Sequence, residues 1–310
     1  MLRLLCISDV HGNVSAVRKL VRARKNDPFD AVVISGDLPA TVPFSLITQY
    51  ILQEWNLSRT GYSRAVYEGR LRPKFVYHQL RSVDLVLPEL VKLDVPILFI
   101  PGNVDTREVV AHVRRNYNGV VDVLSPTQPL ILDNQVAFFG LGGSLDHLGV
   151  ICDHEYGLED FNRLVDRLDH AIAQLRPTLP LVLVFHEPPL FQLNPHDVAR
   201  KAAKAVRRGY HYDFPSEAGS HALELLVRKY QPLLVLNGHF HEYSGRRVVG
   251  SSPVVNPGSL STYQYATATI SPQSSHVQTR FYQILPSRLS FVNFLYQVRS
   301  FHSGSVQTHR

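Results

Sequence analysis

Five apolar runs along the chain each stop at a polar group. The runs cover Leu2 to Ser8 and residues 31–35, 96–100, 181–185 and 232–236. Their length and continuous hydrophobicity are typical of buried β-strands. Between them, apolar residues at helical spacing predict helices over residues 14–25, 75–93, 159–175 and 222–230. Asn13 is the expected N-cap of the first helix, and Pro88 predicts a break or kink in the second.

The alternation of strands and helices predicts an α/β fold with a largely parallel sheet. Further strands are predicted at 130–133 and 135–140. From Arg246 onward, short strands are predicted near 247–249, 253–255, 263–270, 278–284 and 289–298, and we expect these later strands to form a second, more antiparallel sheet. Residues from about 38 to 72 show no clear element and are interpreted as an insertion. We expect one domain over 1–270, followed by a basic extension without acidic residues over 271–310.

The polar groups at the strand ends are all side chains that can bind a metal ion. They are Asp9, His11, Asp37, Asn103, His186, His239 and His241. Because ligands gather at the carboxyl ends of strands in α/β sheets, we expect these side chains to meet at one edge. In the stretch NGHFH, the two histidines stand two residues apart and so point the same way, while the glycine lets the backbone turn sharply.

Each group also has an ordinary explanation, because an aspartate after a strand often caps a helix and an asparagine often belongs to a turn. Their recurrence at five strand ends instead favours a metal site. Seven oxygen and nitrogen donors exceed what one tetrahedral zinc needs, and they suit two adjacent divalent ions. With no thiolate among the donors, the set fits Mn²⁺, Fe²⁺, Zn²⁺ or Co²⁺. The order of metal affinities does not choose among these ions, and we favour Mn²⁺.

The strand-end residues resemble, in order, the five motifs of calcineurin-like metallophosphoesterases. The matching motifs are Asp9-Val10-His11, Gly36-Asp37, Gly102-Asn103, His186 and Gly238-His239-Phe240-His241. The resemblance runs over about residues 3 to 260, and the segments VAFFGLGGS, FHEPP, LLVLNGHFHE and VVNPGSL look most like the small prokaryotic and archaeal branch. It implies a four-layer α-β-β-α sandwich with two facing mixed β-sheets.

The resemblance also implies which residues serve each ion. One metal would be held by Asp9, His11 and His241, the other by Asn103, His186 and His239, with Asp37 bridging them. In this chemistry a hydroxide shared by two cations roughly 3.5–4 Å apart attacks phosphorus in line with the leaving oxygen. All seven metal ligands would then be the catalytic residues as well, acting through that hydroxide.

The chain departs from the family pattern at Val104, where many members carry a histidine that stabilises the transition state or protonates the leaving group. Such a general acid is worth roughly 10²–10⁴-fold, so its loss puts rate and substrate in doubt but not metal binding. His147 and His154 are possible replacements, although a surface-loop role is the simpler interpretation of both. Asp105 is interpreted mainly as the cap of a helix beginning near Thr106, with orientation of a ligand as the alternative.

The composition of the chain indicates its class of protein and its cellular compartment. The chain has 310 residues, of which 45% are hydrophobic and 19% charged, as in ordinary globular proteins. No apolar run reaches eighteen residues, and the N-terminus lacks the long apolar stretch of a signal peptide, so we expect no membrane association. Two cysteines, Cys6 and Cys152, make no disulfide framework, and Cys6 looks like a core thiol. A cytoplasmic protein is expected.

The net charge of +6 is concentrated after Glu242, beyond which there is no acidic residue. The arginines there equal the whole excess: Arg246, Arg247, Arg280, Arg288, Arg299 and Arg310. A second basic stretch places Arg200, Lys204, Arg207 and Arg208 on one side of a possible helix, where they can steer a nucleotide or nucleic-acid phosphate. Both basic stretches can also be explained as solvent-exposed surfaces, and we favour that interpretation.

Our leading hypothesis is therefore a metal-dependent phosphoesterase, with a phosphodiesterase acting on small or nucleotide diesters preferred. One alternative is a metal-dependent nuclease, which fits the basic charge but not Val104 or the lack of a recognised DNA-binding module. Another is a non-catalytic metal-binding scaffold of the same fold, which the complete set of seven ligands argues against. The C-terminal segment with Phe291, Phe294, Leu295 and Tyr296 can cover a sheet edge or form a homodimer contact.

Overall fold

The computed structural model describes residues 1–41, 69, 72–146, 152–175, 179–196, 216–284 and 306–309. Five α-helices occur within these residues: α1 Val14–Arg24, α2 Arg72–Val91, α3 Arg107–Asn116, α4 Leu158–Ala173 and α5 His221–Tyr230. The predicted helices correspond to α1, α2, α4 and α5. Asn13 caps α1 as expected, because its side chain accepts a hydrogen bond from the Ala16 amide.

The strands of the first half of the chain include three of the predicted buried runs. They are β1 Leu2–Ile7, β2 Ala31–Ile34, β3 Ile97–Phe99, β4 Val121–Val123, β5 Leu130–Leu132, β6 Val136–Leu141, β7 Ser144–Leu145 and β8 Glu155–Tyr156. The strands of the second half are β9 Leu181–Phe185, β10 Phe191–Gln192, β11 Glu217–Ala218, β12 Leu234–Leu236, β13 Gly245–Val249, β14 Ser252–Asn256, β15 Gln264–Ser271, β16 His276–Ile284 and β17 Val306–His309.

Two large mixed sheets contain most of these strands. The first sheet has seven strands in the order β17-β16-β15-β1-β2-β3-β4, and the second has six in the order β13-β14-β12-β9-β6-β5. Within the first sheet β1 to β4 run parallel, and β15 lies antiparallel to β1 with Leu2 opposite Ile270. In the second sheet β6, β9, β12 and β14 run parallel. The short pairs β7-β8 and β10-β11 stand apart.

Alternate residues of the strands point into different hydrophobic cores. The helices and the two sheets therefore form four layers. Leu5 and Ile34 of the first sheet pack against α1, α2 and α3 on its outer face. Leu4 and Val33 face inward and meet Val184 and other residues of the second sheet. A third core joins the outer face of the second sheet to α4 and α5. The expected α-β-β-α sandwich with two facing mixed sheets is confirmed.

The assignment of strands to sheets differs from the prediction made from the pattern alone. We expected the buried parallel strands in one sheet and the later short strands in another. Instead, β1, β2 and β3 lie in the first sheet while β9 and β12 lie in the second, and the later strands extend both sheets. The apolar runs have the same character in either sheet, because both sheets are covered on two faces.

Three further expectations concern particular segments. We predicted a break or a kink at Pro88. Helix α2 continues from Arg72 through Pro88 to Val91, so the break does not occur. Strand β16 pairs with β15 along its length and β17 pairs with β16, so residues on both sides of the proposed 270/271 boundary share a sheet. The strand predicted over 289–298, and most of the insertion at 38–72, lie outside the described residues.

None of the helices in the described part of the chain is long and apolar enough to cross a lipid bilayer.

Candidate metal centre

The seven predicted side chains all lie at the carboxyl ends of strands, along the edge where the two sheets face each other. Asp9 and His11 follow β1, Asp37 follows β2 and Asn103 follows β3 in the first sheet. His186 follows β9, and His239 and His241 follow β12 in the second sheet. Asp9, Asp37 and His186 are buried, and the other four are partly exposed. The edge therefore combines two buried carboxylates and one buried imidazole with three imidazoles and an amide that are partly exposed.

Asp9, His11 and His241 form the first group of converging ligand atoms. His241 Nε2 lies 3.0 Å from Asp9 Oδ1 and 3.2 Å from His11 Nε2. His11 Nε2 also lies 3.8 Å from Asp37 Oδ2. One carboxylate oxygen and two ring nitrogens thus surround one point, as in the first of the two ligand sets implied by the resemblance.

Asp9, Asp37 and His186 form a second group, which Asn103 adjoins. His186 Nε2 lies 3.5 Å from Asp37 Oδ1 and 3.1 Å from Asn103 Oδ1. Asp37 therefore directs one carboxylate oxygen towards each group, since its Oδ2 is the oxygen nearer His11. Asp9 belongs to both groups through its buried carboxylate.

The hydrogen bonds around His186 allow a test of whether the site suits a cation. His186 Nδ1 lies 2.8 Å from the Ser35 carbonyl oxygen, which accepts but cannot donate, so Nδ1 carries the hydrogen. In the neutral ring, Nε2 then directs a lone pair at Asn103 Oδ1, which is also an acceptor. Two acceptors 3.1 Å apart need a positive group, either a proton on Nε2 or a metal ion. The donor set fits a divalent ion.

Burial and neighbouring charges shift the pKa values of the same side chains. Burial lowers the pKa of His241, but its hydrogen bond and charge interaction with Asp9 outweigh this and raise it to about 9. Burial raises the pKa of Asp9, and the hydrogen bond and charge of His241 more than reverse this, so the net shift is downward. Burial lowers the pKa of His11, and the net shift there is also downward. A metal ion would displace the proton shared by His241 and Asp9.

His239 takes a different position from the other histidines. Its ring centroid lies 5.1 Å from that of His186, yet its ligand nitrogens join neither of the two groups found among the described residues. His239 Nε2 instead lies 3.9 Å from Oε2 of the buried Glu187, and its backbone amide donates to Asp9 Oδ2 at 3.2 Å. The structure therefore brings six of the seven predicted side chains close together, and His239 lies beside them.

The backbone at this edge is bent into conformations that strands do not adopt. Asp9, His11, Asp37 and His239 all have positive φ, between 46° and 70°. Such conformations cost about 1–3 kcal/mol each in bulky residues and concentrate at functional sites. Gly36, with φ of 102°, makes the close approach possible, because a Cβ there would lie 2.3 Å from His186 Nδ1.

Asp105 corrects one expectation, because its side chain does not cap α3. Thr106 occupies the N-cap position and makes no side-chain capping bond. Asp105 Oδ2 instead accepts hydrogen bonds from the Gly102 amide at 2.6 Å and the Asp37 amide at 2.9 Å. Burial and the charge of Asp37 raise the pKa of Asp105 to about 8. Asp105 therefore joins the turns that carry Asn103 and Asp37.

Two other groups that contact the candidate metal ligands were not identified from the sequence. The Ser35 carbonyl is a backbone group, for which no side-chain pattern exists. Glu155 lies in a short segment far along the chain and accepts a hydrogen bond from Asn103. His147 and the basic stretch at 200–208, for which roles were proposed, lie outside the described residues. His154 is described, and its Nε2 is buried without a hydrogen-bond partner among the described residues.

Comparisons with known proteins agree with this geometry. A family model described as metallophosphoesterase, calcineurin superfamily, matches residues 1–279. Among curated proteins, none matches the chain. One solved structure superposes with a TM-score of 0.62 at 17% identity, covering 90% of this chain and 98% of its own. The protein TT1561 of Thermus thermophilus superposes with a TM-score of 0.53 at 18% identity, covering 90% and 97%. At these identities the two likenesses show the fold alone.

Proposed function

This chain belongs to the metallophosphoesterases of the calcineurin superfamily, and on that premise we propose that it hydrolyses phosphodiesters with two bound divalent metal ions. The observation that carries the proposal is the position of Asp37. Its Oδ2 lies 3.8 Å from His11 Nε2 and its Oδ1 lies 3.5 Å from His186 Nε2. A carboxylate that faces two separate imidazoles is suited to bridging two ions.

In this proposal Asp9, His11 and His241 would hold one ion, and Asn103 and His186 would hold the other. His239, whose Nε2 lies 3.9 Å from Glu187 Oε2, would be the third protein ligand of the second ion. When bound, two divalent ions lower the pKa of water and offset negative charge on a phosphate group. Every donor is oxygen or nitrogen, which fits Mn²⁺, Fe²⁺, Zn²⁺ and Co²⁺, and Mn²⁺ is the ion that we favour.

The residues around the ligands keep the site in a fixed shape. Asp105 holds the Gly102 and Asp37 amides, and the Val104 amide donates to Asp37 Oδ1 at 3.1 Å. Ser35 fixes the ring of His186 with Nε2 directed into the site. Because these contacts already exist, Asp37 and His186 would bind ions with little rearrangement.

The preference for diesters rests on position 104. Val104 brings neither a positive charge nor a proton to the site, whereas many family members carry histidine there. A phosphate monoester carries about −1.5 to −2 charges at pH 7, and a diester carries about one. The lack of that histidine should therefore slow the hydrolysis of a diester less than that of a monoester. Small or nucleotide diesters with good leaving groups are the expected substrates, and nucleic acid is not favoured.

The test compares Mn²⁺-dependent initial rates on bis-p-nitrophenyl phosphate and p-nitrophenyl phosphate, with metal content measured on the same sample. We expect about two ions per chain and a clear preference for the diester. A Val104→His variant should gain most on substrates with poor leaving groups, because it restores a proton donor worth up to ~10²–10⁴-fold.

Other results would point elsewhere. Two bound ions without turnover of either ester would favour a non-catalytic scaffold. Equal or faster turnover of the monoester would contradict the diester preference while leaving the metal-dependent chemistry in place. Absence of metal binding would contradict the whole proposal.

A further inference from the structure

Segment 152–156 lies against Asn103 on the side away from His186. Glu155 Oε1 accepts a hydrogen bond from Asn103 Nδ2 at 3.0 Å. On the other side of the same amide, Asn103 Oδ1 lies 3.1 Å from His186 Nε2. The amide is therefore held between a carboxylate and an imidazole that come from distant parts of the chain.

The chemistry of the carboxylate decides which way the amide points. An asparagine side chain has an oxygen that accepts and an NH₂ group that donates, and the two are nearly equal in size. A carboxylate only accepts, so it selects the orientation with NH₂ towards Glu155. The amide oxygen then faces His186, which is the orientation that a metal ion requires. Rotation of the amide by half a turn would direct NH₂ at the metal site.

Glu155 is itself fixed, so it can hold Asn103 in turn. Its second oxygen accepts from the Cys152 amide at 3.1 Å. The preceding Asp153 accepts from Arg72 Nη1 at 2.9 Å and from the Arg107 amide at 2.9 Å. The segment is thereby tied to α2 and to the start of α3, the helix that follows Asn103 in the chain.

The opposite side of the segment is also anchored. Strand β8 pairs in parallel with β7 across Ser144 and Glu155. The His154 carbonyl oxygen accepts from the Ser144 amide at 2.9 Å, and the Tyr156 carbonyl oxygen accepts from the Asp146 amide at 2.9 Å. Backbone bonds on both sides of Glu155 therefore restrict its movement, and its carboxylate stays opposite Asn103.

We propose that Glu155 is a positioning residue that presents the amide oxygen of Asn103 to the second metal ion. The inference rests on the proposed function, because it requires that ion. Partners that orient metal ligands in this way typically contribute ~10–100-fold to metal affinity or activity. Glu155 would act on the second ion alone, because its contact is with Asn103 and not with Asp9, His11 or His241.

The experiment is calorimetric titration of the metal-free 310-residue chain with Mn²⁺. For the wild type we expect two binding events. For Glu155→Ala we expect the first ion to bind as in the wild type and the second to bind ~10–100-fold more weakly. Glu155→Gln should lie between the two, because its amide oxygen can still accept from Asn103 while one of the two present hydrogen bonds is lost.

The matched control is Glu159→Ala, which removes an exposed carboxylate four positions away, in the first turn of α4. It should bind both ions as the wild type does. Thermal unfolding of each metal-free variant shows whether it is folded before titration, and Glu155→Gln serves if Glu155→Ala is not.

Each remaining outcome identifies what has failed. Two ions bound by Glu155→Ala with wild-type affinity would overturn the role of Glu155 and leave the proposed function intact. A Glu155→Gln variant no better than Glu155→Ala would also overturn it, because charge rather than amide orientation would then matter. Fewer than two ions on the wild type would instead contradict the proposed function.

Discussion

His154 is a partly buried imidazole whose titration should be visible in the stability of the protein. Its Nδ1 lies 3.2 Å from the Tyr156 hydroxyl, and its Nε2 has no hydrogen-bond partner among the described residues. Burial lowers the pKa of His154 to about 4, with Asp153 and Arg107 acting in opposite directions. The folded protein therefore holds this ring neutral at a pH where the unfolded chain protonates it.

We expect the metal-free protein to lose stability as the pH falls from about 6.5 towards 4. In that range the unfolded state binds more protons, so the free energy of unfolding increases with pH. The loss due to this one ring is at most about 3 kcal/mol, since one pKa unit corresponds to about 1.4 kcal/mol. His154→Gln should flatten this part of the profile, measured by urea unfolding at a series of pH values with chelator present.

His276→Gln is the matched control, because His276 is exposed at the start of β16. It should leave the profile unchanged. A His154→Gln profile as steep as that of the wild type would mean that the carboxylates alone cause the dependence.

At the scale of elements, helix α2 shows how packing overrides a local preference. Pro88 lacks the amide hydrogen that a helix interior uses, and it normally breaks or kinks a helix at a cost of about 3 kcal/mol. Here the helix continues to Val91, because Val83, Val86, Leu87 and Leu90 are all buried against the first sheet. Pro88 itself is exposed, on the face away from that core.

Pro88→Ala should therefore stabilise the protein, by about 1–3 kcal/mol, because it restores a helical hydrogen bond without changing the buried face. The gain is reduced by the greater freedom of alanine in the unfolded chain. Thermal and urea unfolding measure it, with Leu85→Ala, at an exposed position of the same helix, as the control expected to change little. A destabilised Pro88→Ala variant would show that the proline ring makes a contact of its own.

At the scale of the whole molecule, the candidate metal centre connects the two sheets. Asp9 and Asp37 come from the first sheet, and His186 and His241 come from the second. Ions bound between them would link the layers in the folded state only, since the unfolded chain does not hold these ligands together. Metal binding should thus stabilise the entire fold and not just one loop.

We expect Mn²⁺ to raise the free energy of unfolding by about 2.7 kcal/mol for each independent site at a free concentration 100 times its dissociation constant. Asp37→Ala should abolish most of this increase along with turnover, because its carboxylate faces both groups of ligands. Calorimetric unfolding with Mn²⁺ and with chelator measures the difference. Asp122→Ala, an exposed aspartate of β4, should retain it. An unchanged response in Asp37→Ala would contradict a two-metal site.

The helices, the strands and the candidate metal ligands could be predicted from the order of residues alone. Apolar runs and helical spacing report whether each position is buried, which is a local property, so the predicted strands and helices largely match those described. The rule that ligands gather at carboxyl ends of strands then identified all seven candidate side chains, from Asp9 to His241. No knowledge of which strands are neighbours was needed for either step.

Contacts between residues far apart in the chain could not be predicted and are known only from the folded structure. The pattern did not assign the buried strands to two sheets, because both sheets are covered on both faces. It also gave no indication that Asp105 holds the Asp37 turn or that Glu155, 52 residues beyond Asn103, orients its amide. Such hydrogen bonds require the chain to bring distant turns within about 3 Å, and only the packing of the layers fixes which turns meet.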